Sequence, residues 1–469
     1  MNKNTKIQRH LAEQSILFAS ITKWILLSSL IGALVGAVVS LFLKLLEYCE
    51  ESRSLLPFDY YYTLPFALAF TVVVVKKFAP SAEGHGTEKV IEAIHKNSGK
   101  IDISVVPVKL FATVITIFSG GSVGKEGPGA QIGASLASFI AMKLRFTAKD
   151  RKKIVICGIS AGFAAVFGTP LAGAIFGVEI LIVGALMYDI LLPSIVAGFA
   201  SFFVAKMIGI DYSYFYIAFY SDLDFNYALL AKVVIGGIFF GLVADFIITT
   251  LKASHDYISS IKLNYILKAF LGGVFIVILT MIVGEDYLGL GFDTLKQALS
   301  PDELIHENIP WYTFIMKTIY TSLTLGFGGS GGVITPVFYI GATSGNFFGS
   351  LVDGYIPLFA ALGFVSVLAG ATSAPIAAMI MAVELFGMNV AHYAAISIII
   401  AFLMTGHRSV FPSQVLHMKK SEAIDVNLGG EILNTETTYT TRFFLNIQKF
   451  IKRVFLSKNK DKSVKDDNQ

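Results

Sequence analysis

Gly120-Gly121-Ser122-Val123-Gly124-Lys125-Glu126-Gly127-Pro128-Gly129-Ala130-Gln131-Ile132-Gly133-Ala134 places one lysine and one glutamate among glycines, between the apolar run 103–118 and a small-residue segment after Pro128. Lipid cannot solvate charge, so an ionisable pair flanked by hydrophobic segments marks an ion or substrate path. Pro128 suits the first turn of a helix, where its missing N–H costs nothing, so 124–128 read as a loop ending on a helix N-terminus. Glycines let several backbone N–H groups converge on one point. The positive end of the helix dipole adds to them, and the result is a cradle for an anion. A soluble phosphate loop fails on spacing, because one ending at Gly124-Lys125 needs glycine at Ser119 and Ser or Thr at Glu126.

A second stretch matches the first. Gly328-Gly329-Ser330-Gly331-Gly332-Val333-Ile334-Thr335-Pro336-Val337-Phe338-Tyr339-Ile340-Gly341-Ala342 repeats Gly-Gly-Ser, then Pro, then Ile-Gly-Ala with the same internal spacing, 208 residues downstream. Another pair follows at nearly the same offset: Thr169-Pro170-Leu171-Ala172-Gly173-Ala174-Ile175-Phe176-Gly177-Val178-Glu179 against Ala374-Pro375-Ile376-Ala377-Ala378-Met379-Ile380-Met381-Ala382-Val383-Glu384. In both copies the glutamate lies nine residues after the proline. The chain therefore reads as two copies of one membrane unit. Corresponding Gly/Pro-broken segments in duplicated halves point to a transporter-type fold with its site between the repeats. The symmetric recurrence of Glu179 and Glu384 favours a structural role, accepting backbone N–H bonds inside the bundle.

The composition agrees. A chain of 469 residues that is 54% hydrophobic and 15% charged, with mean hydropathy +0.68, is a polytopic membrane protein, since a soluble chain of this length exposes far more charge. Cys49 and Cys157 lie in unrelated apolar contexts and imply neither a disulfide frame nor a metal site. The net charge of +4 is carried by loops and tail, which fits membrane topology and not nucleic-acid binding. The first ten residues are polar and basic and the apolar run 24–46 is too long for a signal-peptide core, so no cleavable signal is expected.

Taken in order, 1–21 reads as a cytoplasmic N-terminus and 22–420 as one membrane domain whose repeats cover about 22–209 and 225–420. The remainder, 421–469, reads as a short, partly disordered cytoplasmic tail with no second soluble domain. Residues 24–46 form the least ambiguous span. The basic loop carrying Lys143, Arg145, Lys149, Arg151, Lys152 and Lys153 is placed in the cytoplasm by the positive-inside rule. Residues 207–231 and 285–308 read as extracytoplasmic, and 443–455 as a candidate interfacial helix. Many apolar segments are shorter than the roughly 20 residues a span needs, which is tolerable only where their ends line a polar cavity.

Gly124-Lys125-Glu126-Gly127-Pro128 resembles the Gly-Arg/Lys-Glu-Gly-Pro motif of the CLC family of chloride channels and proton-coupled chloride transporters. Gly332-Val333-Ile334-Thr335-Pro336 resembles its Gly-x-Phe-x-Pro motif, the two Pro…Glu repeats resemble its paired helices, and the likeness runs from about 20 to 420. The resemblance implies an all-α polytopic membrane protein of two inverted repeats of tilted, broken helices. It also implies a homodimer with one pore per subunit in the plasma membrane, with bound chloride and no other cofactor. By position Glu126 resembles the gating glutamate, whose carboxylate occupies an anion site and swings away when protonated or displaced. Backbone N–H groups of Lys125, Glu126 and Gly127 and of Val333, Ile334 and Thr335 would line the anion sites, and the Lys125 side chain would supply positive potential.

Three departures bear on function. The family's Gly-Ser-Gly-Ile-Pro turn is here Gly84-His85-Gly86-Thr87-Glu88, so His85 stands for the serine that contacts the central anion; it either faces the ion or caps the helix starting at Thr87. The family tyrosine falls at Phe411 and lacks its hydroxyl. The second glutamate after the Pro-Leu-Ala-Gly helix, an internal proton acceptor in the family's transporters, is Ile180. His85 and Phe411 alter the site that sets ion selectivity, and Ile180 favours channel-like or weakly proton-coupled anion transport, with chloride first among the ions and a proton-coupled chloride or fluoride exchanger as the alternative. An enzyme using Lys125 and Glu126 as an acid–base pair is disfavoured, because no nucleophile or metal-ligand cluster accompanies them, and His392, His407 and His417 show no ligand spacing.

Overall fold

A computed structural model describes residues 3–212, 227–300, 309–435 and 437–439. The extracytoplasmic reading of 213–226 and 301–308 and the readings of 443–455 and of the end of the tail fall outside the described residues. The first half runs through α1 (Lys3–Glu51), α2 (Leu64–Phe78), α3 (Thr87–Lys96), α4 (Val105–Phe118), α5 (Glu126–Lys143), α6 (Ala148–Phe167), α7 (Pro170–Glu179) and α8 (Tyr188–Met207). The second repeats the series as α9 (Tyr227–Ser260), α10 (Tyr265–Val283), α11 (Phe292–Leu299), α12 (Thr313–Gly326), α13 (Ile334–Leu351), α14 (Ile356–Thr372), α15 (Pro375–Phe386) and α16 (Ala391–Met404). This is the all-α fold of two inverted repeats that the sequence implied.

Helical stretches Arg9–Leu55, Tyr60–Phe78, Tyr188–Met207, Tyr227–Ser260 and Tyr265–Val283 are long and apolar enough to cross a bilayer. The others are shorter, richer in small residues or, like α6, charged at one end, and broken backbone is tolerable where such helices are packed in protein. α1 contains the 24–46 span and reaches beyond it at both ends. Residues from Lys3 onward continue the span as one helix, because no glycine or proline interrupts the chain before Gly32. Lys23 at one level of α1 pairs with Asp150 of the basic loop at 3.7 Å. At roughly 1.5 Å per residue, Glu50 then lies about 40 Å further along the axis. α1 thus runs from the basic-loop face to the opposite one.

Close helix crossings set the packing, and they occur at matched places. A Cβ at Gly133 of α5 would stand 2.3 Å from the Gly158 carbonyl oxygen of α6, and one at Gly341 of α13 would stand 2.5 Å from that of Gly363 in α14. Only glycine permits such approach, which is the membrane packing rule met twice.

The halves are also stitched by charge. α7 and α15 each open on a proline, so the first free amides lie one residue in. The Glu179 carboxylate accepts from the amides of Ile376 (2.9 Å) and Ala377 (2.7 Å). Glu384 accepts from those of Leu171 (3.1 Å) and Ala172 (2.8 Å). Each glutamate thus caps the N-terminus of the other repeat's helix, where the dipole favours negative charge. This is the structural role the symmetric recurrence predicted.

Beyond α16 the chain packs back onto the membrane domain. β1 (Ile182–Val183) pairs in parallel with β2 (Val415–Leu416), and β3 (Ile424–Asp425) pairs antiparallel with β4 (Thr438–Tyr439). Lys96 Nζ holds Glu431 at 3.1 Å. With Arg151 Nε of the basic loop donating to the Ser98 carbonyl just past α3 at 2.9 Å, these contacts place 412–435 on the same face as the end of α3 and the basic loop, hereafter the tail face.

Replacing Glu179 by alanine strands two amides, at about 1–3 kcal/mol for each donor left unsatisfied. Thermal unfolding of the purified variant is therefore expected at a clearly lower temperature than wild type, and an unchanged midpoint would show that the cap does not stabilise the fold.

Candidate anion site

The site grows out of the ends of α4 and α12. Arg53 donates from Nε to the Phe118 carbonyl at 2.9 Å and from Nη2 to that of Ile117, capping α4. Its guanidinium carbon lies 4.5 Å from the Tyr60 ring centroid. Past these helix ends the chain turns at Gly120 (φ 90°) and Gly328 (φ 93°), a backbone region where a side chain would be strained. The amide of Ser122 then donates to Thr324 Oγ1 at 3.2 Å, and that of Ser330 donates to Thr116 Oγ1 at 3.1 Å. Each turn is held by a threonine of the other repeat.

The two glycine stretches meet directly. Gly124 N donates to the Gly332 carbonyl at 2.7 Å and Gly332 N to the Gly124 carbonyl at 2.6 Å. Two residues later α5 and α13 begin, so their N-termini approach one point. α5 starts at Glu126, earlier than the loop reading of 124–128 allowed, with Pro128 inside its first turn. Glu126 Oε2 accepts from the Thr335 amide at 3.0 Å and from the Thr335 hydroxyl. The carboxylate therefore sits on the N-terminus of the opposite repeat's helix, where a halide would be cradled.

The remaining sequence candidates gather here with different parts to play. Val333 caps α13, and Ile334 and Thr335 form its buried first turn. The Lys125 amide faces Thr335 Oγ1 at 3.4 Å. The Lys125 side chain turns away from the cradle, its Nζ 4.8 Å from the Phe292 ring centroid. There it lines a cavity of about 400 Å³ together with Glu126, Glu47, Glu50, Asp211 and Lys296. This vestibule includes the α1 end that lies away from the tail face.

On the other side of Glu126 lies the His85 turn. A Cβ at Gly127 would meet the His85 carbonyl oxygen at 2.3 Å, and one at Gly332 would meet Gly127 N at 2.7 Å, so three backbone segments touch. The His85 ring lies against the Val410 carbonyl, while its shielded Nδ1 has no hydrogen-bond partner. His85 makes no side-chain cap to α3, whose N-cap is Gly86, so the capping alternative falls. Phe411 follows Val410 and is fully buried, bringing a ring and no donor. Ile180 is fully buried as well.

Sequence reading missed the groups that hold these turns. Lys109 and Lys317 are fully buried and 208 residues apart, the same offset as the glycine stretches. Lys109 Nζ donates to the carbonyls of Ala82 (3.1 Å) and Gly84 (2.7 Å), gripping the His85 turn. Lys317 Nζ donates to those of Tyr287 (3.1 Å) and Gly289 (2.8 Å) in the equivalent turn before α11. Gln414 Nε2 joins the carbonyls of Ile180 (2.8 Å) and Thr372 (2.9 Å). Extending the repeat alignment back into the apolar runs would have exposed the lysine pair.

A profile of the family described as Voltage gated chloride channel matches residues 66–406. The chain belongs to the CLC family. A chloride/fluoride channel protein of Pseudomonas syringae pv. tomato is 34% identical over 409 residues, covering 86% of this chain and 88% of that protein. The solved structure of a CLC-type fluoride/proton antiporter superposes with TM-score 0.79 at 27% identity, covering 84% of this chain and 98% of that one. A slow cyanobacterial Cl−/H+ antiporter shares the fold, with TM-score 0.69 at 20% identity over 81% of this chain and 94% of that one. This CLC chain is accordingly an integral membrane protein of an anion-transport family.

If Lys109 positions the His85 turn, Lys109→Met releases two carbonyls at the site and should slow anion efflux from proteoliposomes by about tenfold or more, at 1.4 kcal/mol per decade. Efflux at the wild-type rate would show that the grip does not matter to transport.

Proposed function

We propose that this CLC chain moves small halides between the vestibule and the tail face, with Glu126 as the gate. One observation carries the reading: the Glu126 carboxylate accepts from the amide and hydroxyl of Thr335, as an anion at that helix end would. A carboxylate and a halide compete for the same donors, so neutralising or displacing the side chain clears the path. Lys125, facing the vestibule from the adjacent position, raises the local anion concentration without touching the cradle.

Chloride, first on the sequence, and fluoride are the candidate cargoes, and the names of two relatives add weight to fluoride. Both side-chain donors of the family's usual central site differ, being His85 and Phe411 here. The relatives at 34% and 27% identity are named a chloride/fluoride channel protein and a fluoride/proton antiporter. Ile180 in place of an acidic group supports passive or loosely proton-coupled movement. The proposal includes a homodimer in the cell membrane with the tail face cytoplasmic, which the basic 143–153 loop supports.

Efflux of fluoride, chloride and nitrate from proteoliposomes, with proton movement followed alongside, tests the reading. Glu126→Gln mimics the protonated gate, so its anion flux should lose the pH dependence of wild type; a retained dependence would place the gate elsewhere. His85→Ser should change the permeability order among the three anions, and an unaltered order would remove His85 from the path. Stoichiometric proton movement in wild type would replace passive conduction with exchange.

A further inference from the structure

Glu88 lies in the first turn of α3, three residues after His85, which precedes the helix. One carboxylate oxygen, Oε1, accepts from the Ser413 amide at 3.0 Å and from the Ser413 hydroxyl. The other, Oε2, is shielded and has no hydrogen-bond partner. Its charged neighbours on α3 are engaged with each other, Lys89 Nζ meeting Glu92 Oε2 at 3.0 Å. The facing 409–414 loop brings the Ser413 amide and hydroxyl and no ionisable group. Lys109, from α4, spends its Nζ on the Ala82 and Gly84 carbonyls. Among the described residues Glu88 makes no ion pair, although burying a carboxylate without a counter-charge is costly.

Glu88 is not isolated in this respect. His85 Nδ1, Thr87 Oγ1 and Gln131 Oε1 are likewise shielded and without hydrogen-bond partners. Thr87 Oγ1 stands 3.4 Å from where a Cβ on Gly127 would be, and Gln131 Oε1 3.2 Å from one on Gly86. Three of these four groups come from four consecutive residues, and the fourth faces them from α5, next to the Glu126–Gly127 backbone. Buried polar atoms that lack protein partners are satisfied by water or by a passing species, and their grouping marks a polar path through otherwise apolar protein. The four groups lie between the Gly127 backbone and the Ser413 loop.

We propose that Glu88 is the proton-exchanging carboxylate on the tail side, taking over the duty for which position 180 has no acid. Glu88 binds a proton from solvent on the tail face. It passes that proton along the Thr87 hydroxyl and intervening water to the Glu126 carboxylate as this leaves Thr335, and returns to its ionised form. The same steps in reverse release a proton, and no other reactant is consumed. The inference rests on the reading of Glu126 as a protonatable gate.

The test is anion efflux from proteoliposomes of the full chain after a pH jump, for wild type, Glu88→Gln, Glu88→Asp, Glu126→Gln and Glu88→Gln/Glu126→Gln. Glutamine keeps an oxygen for the Ser413 amide but cannot carry the proton. Glu88→Gln should slow the response to the jump by about a hundredfold, the lower end of the range for losing one proton-transfer group, and Glu88→Asp should recover most of it. In the Glu126→Gln background the gate no longer needs a proton, so adding Glu88→Gln should leave flux within about twofold. An undiminished jump response in Glu88→Gln would overturn the proposal. So would an equal loss of flux in the Glu126→Gln background, which is the mark of a purely structural role. If Glu126→Gln by itself keeps the wild-type pH profile, the gate reading has failed and takes the relay with it, whatever Glu88→Gln does. Infrared difference spectra across the same pH range give a readout independent of transport: a protonated-carboxyl band lost in Glu88→Gln is expected, and its persistence would contradict the assignment.

Discussion

Two backbone hydrogen bonds between Gly124 and Gly332 hold this molecule's purpose together. Each is worth about 1 kcal/mol net in a typical setting, and leaving either group unmade at membrane depth would cost several times that. Their consequence is geometric. They fix the relative position of two chain segments 208 residues apart, and two residues later both segments become helices. The N-termini of α5 and α13 are thereby brought to one point from opposite repeats. No basic side chain is needed to make that point attractive to an anion, and Lys125, adjacent in the chain, looks into the vestibule instead.

Around this junction the inverted duplication solves the same problem twice. Every irregular turn in a membrane needs donors and acceptors supplied by neighbouring protein. Thr116 and Thr324 serve the turn of the opposite copy. Lys109 and Lys317 serve carbonyls of the turn in their own copy. Glu179 and Glu384 close the helix ends across the interface. These are charged or polar groups in an apolar setting, yet each carries bonds to backbone that would otherwise be stranded. The symmetry breaks at one position of the cradle. Glu126 has Ile334 as its counterpart, so one carboxylate and not two reaches the facing helix end.

The fold was legible because its signals were covalent patterns: Gly-Gly-Ser followed by Pro and Ile-Gly-Ala, and Pro followed by Glu nine residues on, both recurring at one offset. The roles of Glu179 and Glu384 followed from the same recurrence. Helix limits were less legible, since α1 extends back to Lys3 through residues whose polarity suggested a separate tail. The groups that support the turns were missed for a physical reason. A lysine inside an apolar run looks the same in sequence whether it snorkels to the interface or, like Lys109, turns inward to carbonyls 25 residues earlier. Glu88 was quoted only as part of a variant motif, because its missing partner becomes visible only when α3 and the 409–414 loop are seen together.

The central claim is that the Glu126 carboxylate and a halide occupy the same donors at the start of α13. Calorimetric titration of fluoride and chloride into purified wild type and Glu126→Ala addresses it without transport, gating or orientation entering the result. Removing the competing carboxylate should strengthen halide binding by about tenfold or more, or add one site per chain, since each decade needs only 1.4 kcal/mol. Equal affinity and stoichiometry in the two proteins would contradict the account.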